Sequence, residues 1–256
     1  MKKRAVILAA IFMVLHGVLA AQAFAAAQLP PTPEAWFGHR IGVDRQLLDW
    51  DRVVSYFNAL AASSDKIRVT EYGRSAENRP LIVATIAAPE TLRILDRYRE
   101  IQRRLADPRI TTPAQAEAMF KEGKNIVLLT CSIHADEVAS THSAVEFAYR
   151  LVTQNNPHFQ SILSNTILLL VPSLNPDGVD IVTRWYRSTL GTRFEGTDPP
   201  ELYQKYIGHD NNRDWYIFSQ PETRATIAQL HNVWHPEIVY DVHQQGAYAS
   251  RMFIPP

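Results

Sequence analysis

The chain has 256 residues, with 26 Lys and Arg against 26 Asp and Glu, 46% hydrophobic residues and one cysteine. That length holds one large domain or two small ones, and the apolar content excludes a disordered chain. Balanced charge argues against a general nucleic-acid binder, and the lone Cys131 excludes an intramolecular disulfide framework.

Lys2, Lys3 and Arg4 open the chain and an apolar run follows from Ala5 to Ala20. Ala21-Gln22-Ala23 and Ala23-Phe24-Ala25 then both fit an A-x-A cleavage site. This order predicts a secretory signal peptide over residues 1–23, with no stable membrane span left after cleavage. Its removal takes away three basic residues and leaves the remainder at −3, which again disfavours nucleic acid as a partner. Export without disulfides suits a bacterial envelope, so the expected place is periplasmic or secreted. Residues 24–45, with the proline-rich Gln28-Leu29-Pro30-Pro31-Thr32-Pro33, read as a linker-like segment, and residues 46–256 as the folded domain.

Helical periodicity predicts a helix over Asp49–Ala62. Strands follow over Ile67–Glu71 and Leu81–Ile86, joined by a turn from Gly73 to Pro80. Further helices are expected over Thr91–Leu105 and Pro113–Glu122, the second behind Thr111-Thr112 as a cap. Asn125–Thr130, Thr166–Val171 and Glu237–Val242 are short and nearly continuous in aliphatics, as strands buried on both faces are. Helical stretches Val138–Val152 and Pro221–Trp234 alternate with them, and Pro172–Asp214 reads as a long loop. The pattern predicts an α/β fold with a mixed, largely parallel central sheet covered by helices on both faces.

Ligands in such sheets bind beyond the carboxyl ends of the strands. There stand Cys131-Ser132-Ile133-His134-Ala135-Asp136-Glu137, then Pro172-Ser173-Leu174-Asn175-Pro176-Asp177-Gly178, then His243-Gln244-Gln245-Gly246. Two imidazoles and one carboxylate, here His134, Glu137 and His243, are the ligand set of a catalytic zinc site with one position open. Residues three apart on a turn or helical start can face one point, which suits His134 and Glu137.

The ordered series His134-Ala135-Asp136-Glu137, Asn175-Pro176-Asp177-Gly178, Gly208-His209-Asp210-Asn211-Asn212-Arg213-Asp214-Trp215 and Asp241-Val242-His243 resembles the zinc metallocarboxypeptidases of the carboxypeptidase A/B type. The resemblance runs from about Asp49 to the carboxyl end. It implies one zinc per chain on His134, Glu137 and His243. It implies that Asn212 and Arg213 grip the free C-terminal carboxylate of a peptide or protein substrate, as a guanidinium fork and an amide can. It further implies an oxyanion arginine at Arg187, with Arg184 as the competing choice. Two departures stand out. Position 136 is Asp where the family often has an arginine that contacts substrate. The family's base glutamate and mobile tyrosine fall beyond Pro256, so the resemblance implies a catalytic domain incomplete at its carboxyl end.

Three functions remain open at this level. The first is an exported metallocarboxypeptidase that removes one residue from the chain end. The second is a related zinc amidohydrolase or deacylase on N-acyl amino acids or cell-wall peptides. The third is a zinc- or peptide-binding fragment without catalysis. His231 and His235, four apart, form a rival metal pair, but Asn232 replaces the glutamate base of H-E-x-x-H, so they read as helix-end residues. His142 is expected on a helix behind the site, and Cys131 as an inert core thiol.

Overall fold

The computed structural model describes residues 29–202 and 210–245, so the predicted signal peptide lies outside the described residues. Five strands, β1 (Ile67–Arg74), β2 (Pro80–Ile86), β3 (Asn125–Cys131), β4 (Thr166–Val171) and β5 (Ile238–Val242), form one sheet. Their order is β1-β2-β4-β3-β5. β1 and β2 make an antiparallel hairpin, and β2 is antiparallel to β4. Parallel pairing is confined to β4-β3 and β3-β5, which makes the sheet mixed as expected.

The helices are α1 (Pro33–Phe37), α2 (Trp50–Ser63), α3 (Pro89–Arg93), α4 (Leu95–Leu105), α5 (Pro113–Glu122), α6 (Ala139–Thr153), α7 (Pro157–Asn165), α8 (Pro176–Thr189) and α9 (residues 221–234). They cover both faces. Leu168 and Leu170 of β4 join a core with Trp50 and Phe57 of α2, Val145 and Leu151 of α6 and Val179 and Val182 of α8. Ile167, Leu169 and Val171 point the other way, to Leu92 of α3, Ile101 of α4, Met119 of α5 and Leu230 and Trp234 of α9. Period-two alternation with both sets buried is why β4 reads as an unbroken aliphatic run. α9 comes so close to β1 that a Cβ on Gly73 would stand 2.7 Å from that of Ala225.

Three expectations are corrected. β5 is not buried on both faces: Ile238, Val239 and Tyr240 are exposed, because among the described residues no strand pairs with its outer edge and nothing covers them. The helix expected over Thr91–Leu105 is two, because the β-branched, exposed Ile94 leaves helical backbone at φ −124°, ψ 34°. Pro172–Asp214 is not all loop, since α8 occupies its first third. There Asn175 caps the helix by accepting from Gly178 N at 3.0 Å, and Pro176 takes the first turn, where its missing N–H costs nothing. By contrast, α5 begins where read, with Thr112 and Gln115 closing a reciprocal capping box.

The amino end of α8 is anchored to the β1-β2 hairpin by charge. Arg79 donates to Asp177 Oδ1 at 2.8 Å and to Asp180 Oδ2 at 2.6 Å, while the buried Asp177 also accepts from Ser75 Oγ at 2.6 Å and Glu77 N at 2.8 Å. Every oxygen of that buried carboxylate is therefore satisfied, which is what makes its burial tolerable.

Candidate metal centre

β4, β3 and β5 run in parallel, so their carboxyl ends lie along one edge of the sheet. β3 and β5 are hydrogen-bonded neighbours, and neighbouring strands lie about 4.8 Å apart. The loops that follow them therefore start side by side, and the rings of His134 and His243 come to 4.8 Å between centroids.

The loop after β3 reverses at Ser132, whose φ of +48° is left-handed. A cluster of buried hydroxyls holds it there: Ser132 Oγ lies 2.7 Å from Ser140 Oγ and 2.8 Å from Thr141 Oγ1, and Ser132 N donates to Ser140 Oγ. Asn211 Nδ2 and Asn175 Nδ2 both donate to the carbonyl of Ile133, at 2.7 and 3.3 Å. Glu137 N then donates to His134 O at 3.2 Å, so a tight turn rather than a helix folds the two side chains to one side.

The three expected ligands converge. His134 Nδ1 is 3.0 Å from Glu137 Oε1, His243 Nδ1 is 3.1 Å from Glu137 Oε2, and the two Nδ1 atoms are 3.1 Å apart. Candidate ligand atoms of all three lie within 4.8 Å of one another. Side-chain exposures of 17%, 16% and 31% for His134, Glu137 and His243 leave an approach from solvent. The remaining ring nitrogen of each histidine meets a carboxylate: His134 Nε2 is 2.9 Å from Asp210 Oδ1, and His243 Nε2 is 3.0 Å from Asp241 Oδ2. Burial pushes the His134 imidazole down, but Glu137 and Asp210 outweigh it and hold its pKa above the ordinary histidine value. Two imidazoles and a carboxylate around one point, each imidazole backed by a second carboxylate, fit zinc in ligand type and count.

Asn212 and Arg213 belong to a short 3₁₀ turn, residues Asn211–Arg213, capped by Asp210. Asn212 Oδ1 accepts from Trp215 Nε1 at 3.1 Å, and its amide nitrogen donates to no other described residue. Arg213 is exposed; its backbone N–H donates to Asp210 O at 2.8 Å, but its guanidinium forms no hydrogen bond or ion pair with another described residue, while its charge helps keep Asp210 ionised. Asp136 is exposed between the two ligands of the first loop.

Arg187 lies elsewhere. It sits in the last turn of α8, about 18 Å along the helix from Asn175. Its guanidinium is bonded to both oxygens of Asp49 and to the Leu47 carbonyl, and Arg184 is paired with Glu201. The resemblance puts the oxyanion arginine downstream of the Asn-Pro-Asp-Gly motif, in a stretch expected to be a loop. Because that stretch is a helix, the distance carries them away from the strand ends. Cys131 and His142 are buried as expected. Burial pushes the thiol up to about 12 and the imidazole down to about 4. His231 and His235 end α9 and stand apart from the triad.

Asp210, Asn211, Asn175 and Ser132 support the site and were not singled out for it in the sequence. Only Asp241 left a local signal, since it lies two residues before His243 on a strand and so shares its face.

A family profile described as zinc carboxypeptidase matches residues 53–254. Among solved structures, thrombin activatable fibrinolysis inhibitor superposes with a TM-score of 0.52 at 13% identity, over 86% of this chain and 51% of that one. A metallo-carboxypeptidase from Burkholderia cenocepacia matches at 19% identity with a TM-score of 0.48, over 76% of this chain and 40% of that one. The carboxypeptidase A of Helicoverpa armigera matches at 16% identity, again with a TM-score of 0.48, over 88% and 51%. The first likeness shows the fold, and the chain spans about half or less of the length of these three structures. With the family profile matched across most of its length, the chain belongs to the zinc carboxypeptidase family.

Proposed function

We propose that this chain carries the zinc centre of an exported metallocarboxypeptidase, which hydrolyses the C-terminal peptide bond of peptides or proteins. The observation that carries the proposal is the convergence of His134, Glu137 and His243 at one point, with Asn212 and Arg213 on the turn whose Asp210 touches His134. Those three side chains would hold a zinc ion, and the chemistry it would supply is Lewis acidity towards a carbonyl and a water. The protein's own groups do the rest of the positioning. Arg213 presents an exposed guanidinium fork to a terminal carboxylate, and Asn212 adds an amide donor beside it. Asp210 and Asp241 accept from the outer imidazole nitrogens and so aim Nδ1 of each ring inward. The N-terminal pattern of Lys2 to Ala25 supports export. Among the described residues no helix is long and apolar enough to cross a membrane.

The test offers the intact protein, with the sequence that follows Pro256, a matched panel of peptides with free and amidated C-termini, together with N-acyl amino acids. Release of single residues from free termini alone is expected. Equal cleavage of amidated peptides would contradict the role given to Arg213, and turnover of N-acyl amino acids in preference to peptides would favour the deacylase reading.

A further inference from the structure

Thr130 of β3 and Asp241 of β5 are directly paired across the parallel strands. Their side chains meet, with Thr130 Oγ1 donating to Asp241 Oδ1 at 2.7 Å. Thr130 is buried, and a hydroxyl on a central strand has little freedom to follow a partner that turns away. The other oxygen, Asp241 Oδ2, lies 3.0 Å from His243 Nε2, because alternation returns residue 243 to the face of residue 241. On the inner side of the same ring, Nδ1 lies 3.1 Å from both His134 Nδ1 and Glu137 Oε2. A ligating nitrogen must offer a lone pair, so the ring proton belongs on Nε2, where Asp241 accepts it.

We propose that Asp241, oriented by Thr130, is a positioning residue that holds His243 as its Nε2–H tautomer with Nδ1 turned to the metal point. The inference rests on the zinc reading of the triad. It assigns to the Asp-x-His strand and its neighbouring threonine a task that the Asp210 turn performs separately for His134. The rigid sheet is the reason for the arrangement. Asp241 lies in β5 and Thr130 in the neighbouring β3, and His243 follows the last residue of β5 directly, so the sheet fixes two of the three side chains and the start of the third.

Zinc affinity measured by competition with a chelator tests this in the full chain, with cobalt absorption as a spectroscopic readout and circular dichroism of the metal-free proteins as a folding control. Asp241→Ala is expected to weaken zinc binding about 10–100-fold and to shift the cobalt spectrum, with metal-free folding retained. Asp241→Asn is expected to recover most of the affinity, because Thr130 Oγ1 can accept from the amide and leave its carbonyl oxygen for His243. Adding Thr130→Val to Asp241→Asn removes that guidance and is expected to lose the recovered affinity. Wild-type affinity and spectrum in both Asp241→Ala and the double variant, with His243→Ala devoid of zinc, would overturn the positioning role alone. If Asp241→Ala fails to fold, the double variant decides by the same criterion. No zinc on the unaltered chain would instead overturn the reading on which the inference rests.

Discussion

Arg213 offers the sharpest functional test at the level of a single residue. Its guanidinium is exposed and committed to no other described residue, so replacing it leaves the fold and the triad intact. In the intact protein Arg213→Ala is therefore expected to raise KM for peptides with a free terminus by roughly 10–100-fold, the equivalent of losing one charge-assisted bidentate contact. Zinc content should not change. Arg213→Lys should recover only part of the affinity, since an ammonium cannot make the fork. An unchanged KM in Arg213→Ala would remove the residue from substrate binding. Asp214, the next residue, has a structural task. Burial pushes its carboxyl up, but Ser219 N and Oγ, Gln220 N and Thr223 Oγ1 all donate to it and hold it down at about 2. Stability from this group is present above its unfolded value near 4 and is lost as pH falls through about 2. Asp214→Asn should cost on the order of 2 kcal/mol at neutral pH and flatten the acid limb of the unfolding curve between about pH 4 and 2.

At the scale of elements, α6 and α8 carry the loops of the site, and each has a group whose removal tells how firmly it does so. His142 of α6 is buried, and burial, with a smaller electrostatic contribution from His39, pushes it down to about 4. The folded state therefore favours the neutral ring. Its contribution is full above the unfolded value of about 6.5 and is lost as pH falls from there towards 4. His231, also pushed down by burial, acts in the same direction. Urea unfolding at pH 7 and pH 4.5 should show this loss in the wild type and a smaller one in His142→Leu. An equal slope in both would show that His142 does not couple folding to pH. Asn175→Ala removes the cap of α8 and one of two donors to the Ile133 carbonyl, and should cost about 1–2 kcal/mol.

The contrast between α5 and α8 shows what the sequence could carry at this scale. Thr112, Pro113 and Gln115 announce α5 by chemistry that acts within four residues. α8 begins as clearly, with Asn175 and Pro176, but Gly178 and the β-branched Val179, Ile181, Val182 and Thr183 are poor helix formers, and its helical state depends on burial against α2 and the sheet. The metal triad was legible because each ligand follows an aliphatic strand directly. Arg187 belongs to the segment whose secondary structure only tertiary packing decides, so its place in the last turn of α8 is not legible in the sequence. Asp210 was hidden for a related reason: it lies 76 residues from His134 in sequence, and nothing local foretells that contact.

For the molecule as a whole, the sheet both fills the core and aims the site. β4 is buried on its two faces, so Leu169→Ala and Leu170→Ala should each cost about 2–5 kcal/mol although they open different cores. The same sheet sets β3 beside β5, and that adjacency brings together ligands separated by 106 residues along the chain. The proposed chemistry depends on this convergence making a zinc site. The most direct test is metal analysis of the purified chain, with X-ray absorption at the zinc edge. One zinc per chain is expected, with a shell of imidazole nitrogen and carboxylate oxygen at about 2.0–2.2 Å, lost in His134→Ala, Glu137→Ala and His243→Ala alike. A chain that takes up no zinc, or whose zinc survives all three substitutions, would contradict it.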